Sequence, residues 1–100
     1  MKIKKLKTIL IGDVVWKIKW DKTYNGGSFD YIKGEIIFGT QCNDLRILTI
    51  IIHEIKEIIH TKQATRYRRI DSDNYLFSYG HSEHSELCEE LAGYLSLFIK

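Results

Sequence analysis

Residues 47–60 read ILTIIIHEIKEIIH, an apolar run broken by two histidines and two glutamates. The chain contains no Pro, so nothing interrupts this run as a helix. At 100° per residue, Leu45, Leu48, Ile52, Ile55 and Ile59 form one stripe, which Ile51 and Ile58 widen. That pattern predicts a helix over about 44–61 with one side buried, capped by Asn43 or Asp44. Burial does not call for His53, Glu54, Glu57 or His60. On the opposite line, His53, Glu57 and His60 follow one another at i, i+4 and i+7, so their side chains rise from one side of the helix. Glu54 stands about 100° from His53.

The residues before this helix read as a small sheet. IKKLKTILI over 3–11 alternates loosely and ends at Gly12-Asp13, a turn signal. VVWKIKW over 14–20 sets Val14, Trp16, Ile18 and Trp20 against Val15, Lys17 and Lys19, the pattern of a half-buried strand. Asn25-Gly26-Gly27 is a loop whose residues tolerate positive φ. Phe29–Ile32 and Glu35–Phe38 are two short strands joined at Lys33-Gly34. The expected sheet is antiparallel.

After the helix, 65–79 is read as a second hairpin turning at Asp71–Asn74, with Gly80 ending it. A last helix runs from about 82 to 99. Its apolar line is His84, Leu87, Leu91, Tyr94 and Phe98, and Cys88 is expected in the core. The order of strands, helix, hairpin and helix is an α+β fold with helices on one face of a sheet. A chain of 100 residues holds one hydrophobic core, so 1–100 is read as a single domain.

A net charge of +2 is too small to imply a nucleic-acid partner. The basic group Lys62, Arg66, Arg68 and Arg69 is read as a solvated edge. The basic start has a short apolar part containing Asp13, unlike a secretory signal. Cys42 and Cys88 are too few for a disulfide framework and are read as reduced thiols in a cytoplasm. No apolar run is long enough to span a bilayer.

The chemistry lies in His53-Glu54-Ile55-Lys56-Glu57. In the H-E-x-x-H motif two histidines at i and i+4 bind zinc, and the Glu after the first is the general base. Here Glu57 takes the second histidine's place, and a carboxylate is an acceptable zinc ligand. His53 and Glu57 are therefore candidate metal ligands, with Glu54 as the catalytic base that activates water. A third ligand must come from elsewhere. His81, His84 and Cys88 fall at i, i+3 and i+7 on the last helix, and one or more of them could complete the site.

HEIKEII followed by FSYGHSEHSELCEELAGYL resembles a group of small phage and bacterial proteins with a reduced, zincin-like metallopeptidase fold. Members of that group carry H-E-x-x-E where larger relatives carry H-E-x-x-H. A short sheet precedes the helix, and a second helix opens with a His after an aromatic, extended stretch. The resemblance covers roughly 10–98 in organisation and 53–59 and 76–92 in motif. It implies His53 and Glu57 as metal ligands, Glu54 as the base and His81 as the third ligand, with His84 as the alternative. This sequence departs from the group at His84, where relatives have an apolar residue, and at His60.

Two functions are expected from this reading. One is a zinc-dependent hydrolase, foremost a metallopeptidase, in the cytoplasm of a bacterial or phage-infected cell. Its peptide or protein substrate would lie along a sheet edge such as Glu35–Phe38. The other is a phage-related, metal-stabilised binding or structural module without catalysis, in which extra donors close the coordination sphere.

Overall fold

Four strands lead into the long helix. A computed structural model describes residues 2–62, 66–68, 75–77 and 81–99. The elements are β1 (Thr8–Ile11), β2 (Val14–Asp21), β3 (Gly27–Asp30), β4 (Glu35–Gly39), α1 (Asp44–Lys62), β5 (Arg66–Arg68), β6 (Tyr75–Phe77) and α2 (His81–Ser96). The expected α+β order holds, and β5 pairs antiparallel with β6 as the second hairpin. The turn read at 71–74, Arg69 and Gly80 lie outside the described residues.

The sheet is mixed, where the sequence pointed to antiparallel pairing throughout. Its order is β1-β2-β4-β3. β1–β2 and β3–β4 are antiparallel, but β2 and β4 run parallel, with Ile18 beside Ile36 and Trp20 beside Phe38. The cause lies in composition. β4 is EIIFG, with Ile36, Phe38 and Gly39 buried, and a near-continuous apolar strand belongs inside a sheet. The shorter, more polar GSFD of β3 is left as the edge. The edge expected at Glu35–Phe38 is therefore closed on both sides, and β3 is the outer strand of this sheet beside α1.

Turn chemistry fixes both hairpins. Gly12 at φ 64 closes β1–β2 and Gly34 at φ 66 closes β3–β4, both in the left-handed region that glycine tolerates. Asp30 Oδ1 accepts from the Ile32 and Lys33 amides at 3.0 and 3.1 Å, which shapes the second turn. Gly26 and Gly27 are not among the positive-φ glycines.

One face of the sheet forms the core. Ile9, Ile11, Trp16, Ile18, Ile36 and Phe38 meet Ile47, Ile50, Ile51, Ile55, Ile58 and Ile59 of α1, with Leu87 and Phe98 from the C-terminal part. β2 alternates as its sequence predicts, with Trp16 and Ile18 buried and Val15, Lys17 and Lys19 exposed. Phe98 packs edge-on to Phe38, ring centroids 5.9 Å apart, and also meets Trp20. Lys62 at the end of α1 pairs with Glu90 of α2 at 2.9 Å.

The buried face of α1 is turned from the expected stripe toward Glu54. Leu45 is 69% exposed, whereas Glu54 and His60 are buried. With Ile at so many positions, the apolar pattern alone does not fix the azimuth of the helix. On α2 the buried line starts at Leu87; His84 and Cys88 are both exposed, contrary to the expectation of a buried pair.

Candidate metal centre

α1 starts cleanly because Asn43 caps it. The Asn43 side-chain oxygen accepts from the Arg46 amide at 2.9 Å, and its carbonyl accepts from the Ile47 amide at 3.0 Å. The helix then crosses the sheet over β4 and β3, carrying His53, Glu54 and Glu57 beside β3.

These three side chains converge. His53 Nε2 lies 3.2 Å from Glu57 Oε2 and 3.6 Å from Glu54 Oε2. One ligand atom from each residue lies within 4.8 Å of the other two. The His53 side chain is 66% exposed, while the Glu57 and Glu54 side chains are 18% and 5% exposed. Burying two carboxylates beside one another is costly unless a cation or donors compensate.

A tetrahedral ion bonded at about 2.0–2.2 Å holds its ligands about 3.3–3.6 Å apart. The His53–Glu57 and His53–Glu54 separations stand close to that spacing, and the donors are an imidazole nitrogen and two carboxylate oxygens. The residues therefore fit a divalent cation. Their chemistry suits zinc and several other first-row metals alike.

Of the residues singled out from sequence, the structure joins His53, Glu54 and Glu57. His81 is the first residue of α2, exposed, and outside this group. His84 is also outside it, with Nε2 3.7 Å from Cys88 Sγ. His60 is buried, and its Nε2 accepts from Lys56 Nζ at 3.0 Å. Burial first, and the Lys56 charge second, hold the His60 pKa below the ordinary histidine value.

Gly27 is a site residue that the sequence reading missed. A Cβ built on it would stand 2.7 Å from Ile50 Cγ2 and 2.8 Å from Glu54 Cγ. Only a glycine lets β3 approach α1 this closely, and the Glu54 stem lies in the space so left. The Gly-Gly pair was the available signal, but it reads equally well as a turn.

Two depressions flank the group. One, of ≈230 Å³, runs toward the start of α1 between Tyr24, Gly26, Arg46, Thr49 and His53. The other, of ≈500 Å³, is an open groove along β3 and the following turn, where Phe29, Tyr31 and Ile32 face His53 and Glu57. Among the described residues, no helix is long and apolar enough to cross a membrane. No family model, curated protein or solved structure matches this chain.

Proposed function

We propose that the protein is a zinc-dependent hydrolase of minimal zincin type, acting on peptide bonds inside the cell. The observation that supports this most is His53 Nε2 at 3.2 and 3.6 Å from two carboxylates, between a cleft and a groove that runs along β3. His53 and Glu57 would hold the ion, with His81 from the first turn of α2 as the third ligand. Bound zinc supplies a Lewis acid that polarises a carbonyl and makes water acidic. Glu54 accepts the proton of the attacking water and passes it to the leaving amine. The missing side chain of Gly27 leaves room for the Glu54 stem, and the carboxylate stands 3.6 Å from His53 Nε2. The groove along β3 and the turn after it would take the extended peptide.

One observation favours a second reading. Glu54 already belongs to the group whose donor atoms lie within 4.8 Å. With Glu54 as the third ligand, no base remains, and the protein is a phage-related, metal-stabilised binding or structural module without catalysis.

Metal content measured on wild type, His53→Ala and Glu57→Ala tests both readings. Near-stoichiometric zinc in wild type, lost in the two variants, is expected. Glu54→Gln then separates the readings. As base, Glu54 leaves metal content intact when replaced and peptide hydrolysis falls by about 100-fold or more; as ligand, its loss removes the metal. A wild type that takes up no zinc when supplied with it sinks both.

A further inference from the structure

The ≈230 Å³ cleft joins two ends of opposite character. At one end are His53 and Glu54; at the other is Arg46. Arg46 Nε donates to Asn25 Oδ1 at 3.3 Å, which ties the guanidinium to the loop before β3. Among the described residues no carboxylate pairs with it. A guanidinium offers five donors in a planar fork, so this single bond leaves the fork's end for a ligand.

The position of Arg46 is itself informative. It lies in the first turn of α1, one residue after Leu45 and three after the Asn43 cap. A cation there opposes the helix dipole, which favours acids at that end. A residue that breaks a local rule for little structural gain is a candidate for function, and the gain here is one long, exposed bond to Asn25. Its line on the helix is also the line of the metal centre: Arg46, Thr49 and His53 follow at i, i+3 and i+7. Arg46 and His53 are two turns apart, about 10 Å along the axis.

We propose that this cleft is a carboxylate-recognition subsite, in which Arg46 receives the C-terminal carboxylate of a peptide whose last residue occupies the cleft. Tyr24, whose ring lies over Gly26, forms its outer wall. The proposal rests on the metal-centre reading above and narrows its substrate to peptide C-termini. A peptide end carries both a carbonyl and an anion, the two kinds of group that the two poles recognise. The cleft is smaller than the roughly 300–1,000 Å³ typical of drug-sized ligands, which suits one terminal residue rather than a continuing chain. The rest of the peptide leaves over the open groove beside Phe29 and Tyr31.

The test is binding of 2-methyl-4-oxopentanoate, which keeps the carbonyl and carboxylate of a peptide end but has no bond to cleave, and of its amide to the zinc-loaded protein, followed by NMR of the Arg46 Nε–H and the Gly26 and Gly27 amides. Zinc content is recorded for each sample. The acid is expected to bind about tenfold more tightly than the amide and to shift those resonances. Arg46→Gln should bring the ratio close to one. Arg46→Lys should restore part of it, because a point charge remains without the bidentate fork. Equal binding of acid and amide to the wild type overturns the proposal, as does an acid preference that survives Arg46→Gln. An Arg46-dependent preference in protein that takes up no zinc upholds the subsite while the metal-dependent function falls. Zinc-loaded protein with a ratio of one does the reverse.

Discussion

Gly27 of the edge strand and Glu54 of the central helix are so close that no methyl group fits between them. A Cβ on Gly27 would stand 2.8 Å from Glu54 Cγ and 3.1 Å from its carboxyl carbon. Gly27→Ala is therefore expected to destabilise the protein by about 1–3 kcal/mol through overpacking. It should also weaken zinc binding, because the strand and the carboxylate cannot both keep their places. Chemical denaturation and zinc titration on the same variant check this. Unchanged values in both would mean that β3 gives way freely.

Gly93 makes the opposite case. It lies inside α2, and a Cβ there meets nothing within 4 Å. Gly93→Ala should stabilise by about 0.5–1 kcal/mol, from helix propensity and a less flexible unfolded chain. A denaturation midpoint that falls would show that α2 needs the glycine for a reason other than backbone freedom.

Zinc should stabilise the folded chain by linkage. At a free concentration about 100 times its Kd, the gain is about 2.7 kcal/mol, or roughly 10–20 °C in Tm for a domain of this size. A chelator should reverse the shift, and His53→Ala should abolish it. Differential scanning calorimetry at two zinc concentrations measures this directly.

His60 sets an acid limit on stability. Its folded pKa lies below the ordinary value of 6.5, so the unfolded chain binds the proton more readily. Stability is full above about 6.5, falls as the pH drops toward the folded pKa, and levels off below it. Urea unfolding of metal-free protein at pH 7.5 and 5 should show a larger loss in wild type than in His60→Gln. Equal losses would assign the acid sensitivity elsewhere.

The Lys62–Glu90 pair joins the two helices at 2.9 Å, but both side chains are about one-third exposed. Lys62→Met is expected to cost under about 1 kcal/mol. Asn43→Ala, which removes the cap on α1, should cost about 1 kcal/mol. Denaturation curves of the two variants at low and high salt separate them, since only the ion pair is screened.

The residues legible in sequence were those whose message is local. The i, i+1 and i+4 spacing put His53, Glu54 and Glu57 together because a helix fixes that geometry unaided. Alternation in VVWKIKW gave β2 its inward face for the same reason. What failed was non-local. Nothing in DKTYNGGS says that the chain leaves room for a strand, so the parallel seam of β2 and β4 has no local signal. The helix's azimuth is not fixed by the sequence either, because isoleucines cover most of its circumference; the sheet decides which side is buried, and with it the burial of Glu54 and His60. Gly27 was hidden because its contribution is a missing side chain, felt by a residue 27 positions away.

The loop before β3 is held by the strand it skips over. The Gly39 amide donates to the Gly26 carbonyl at 2.7 Å, Gln41 to Tyr24 at 3.1 Å and Thr40 to Asp21 at 2.8 Å. The wall of the cleft is thus laced to the end of β4, which also leads into α1. Wall and helix share one anchorage, so a pull on either is felt by both. A ligand spanning Arg46 and His53 would thus rest on a wall and a helix that are both tied to the end of one strand.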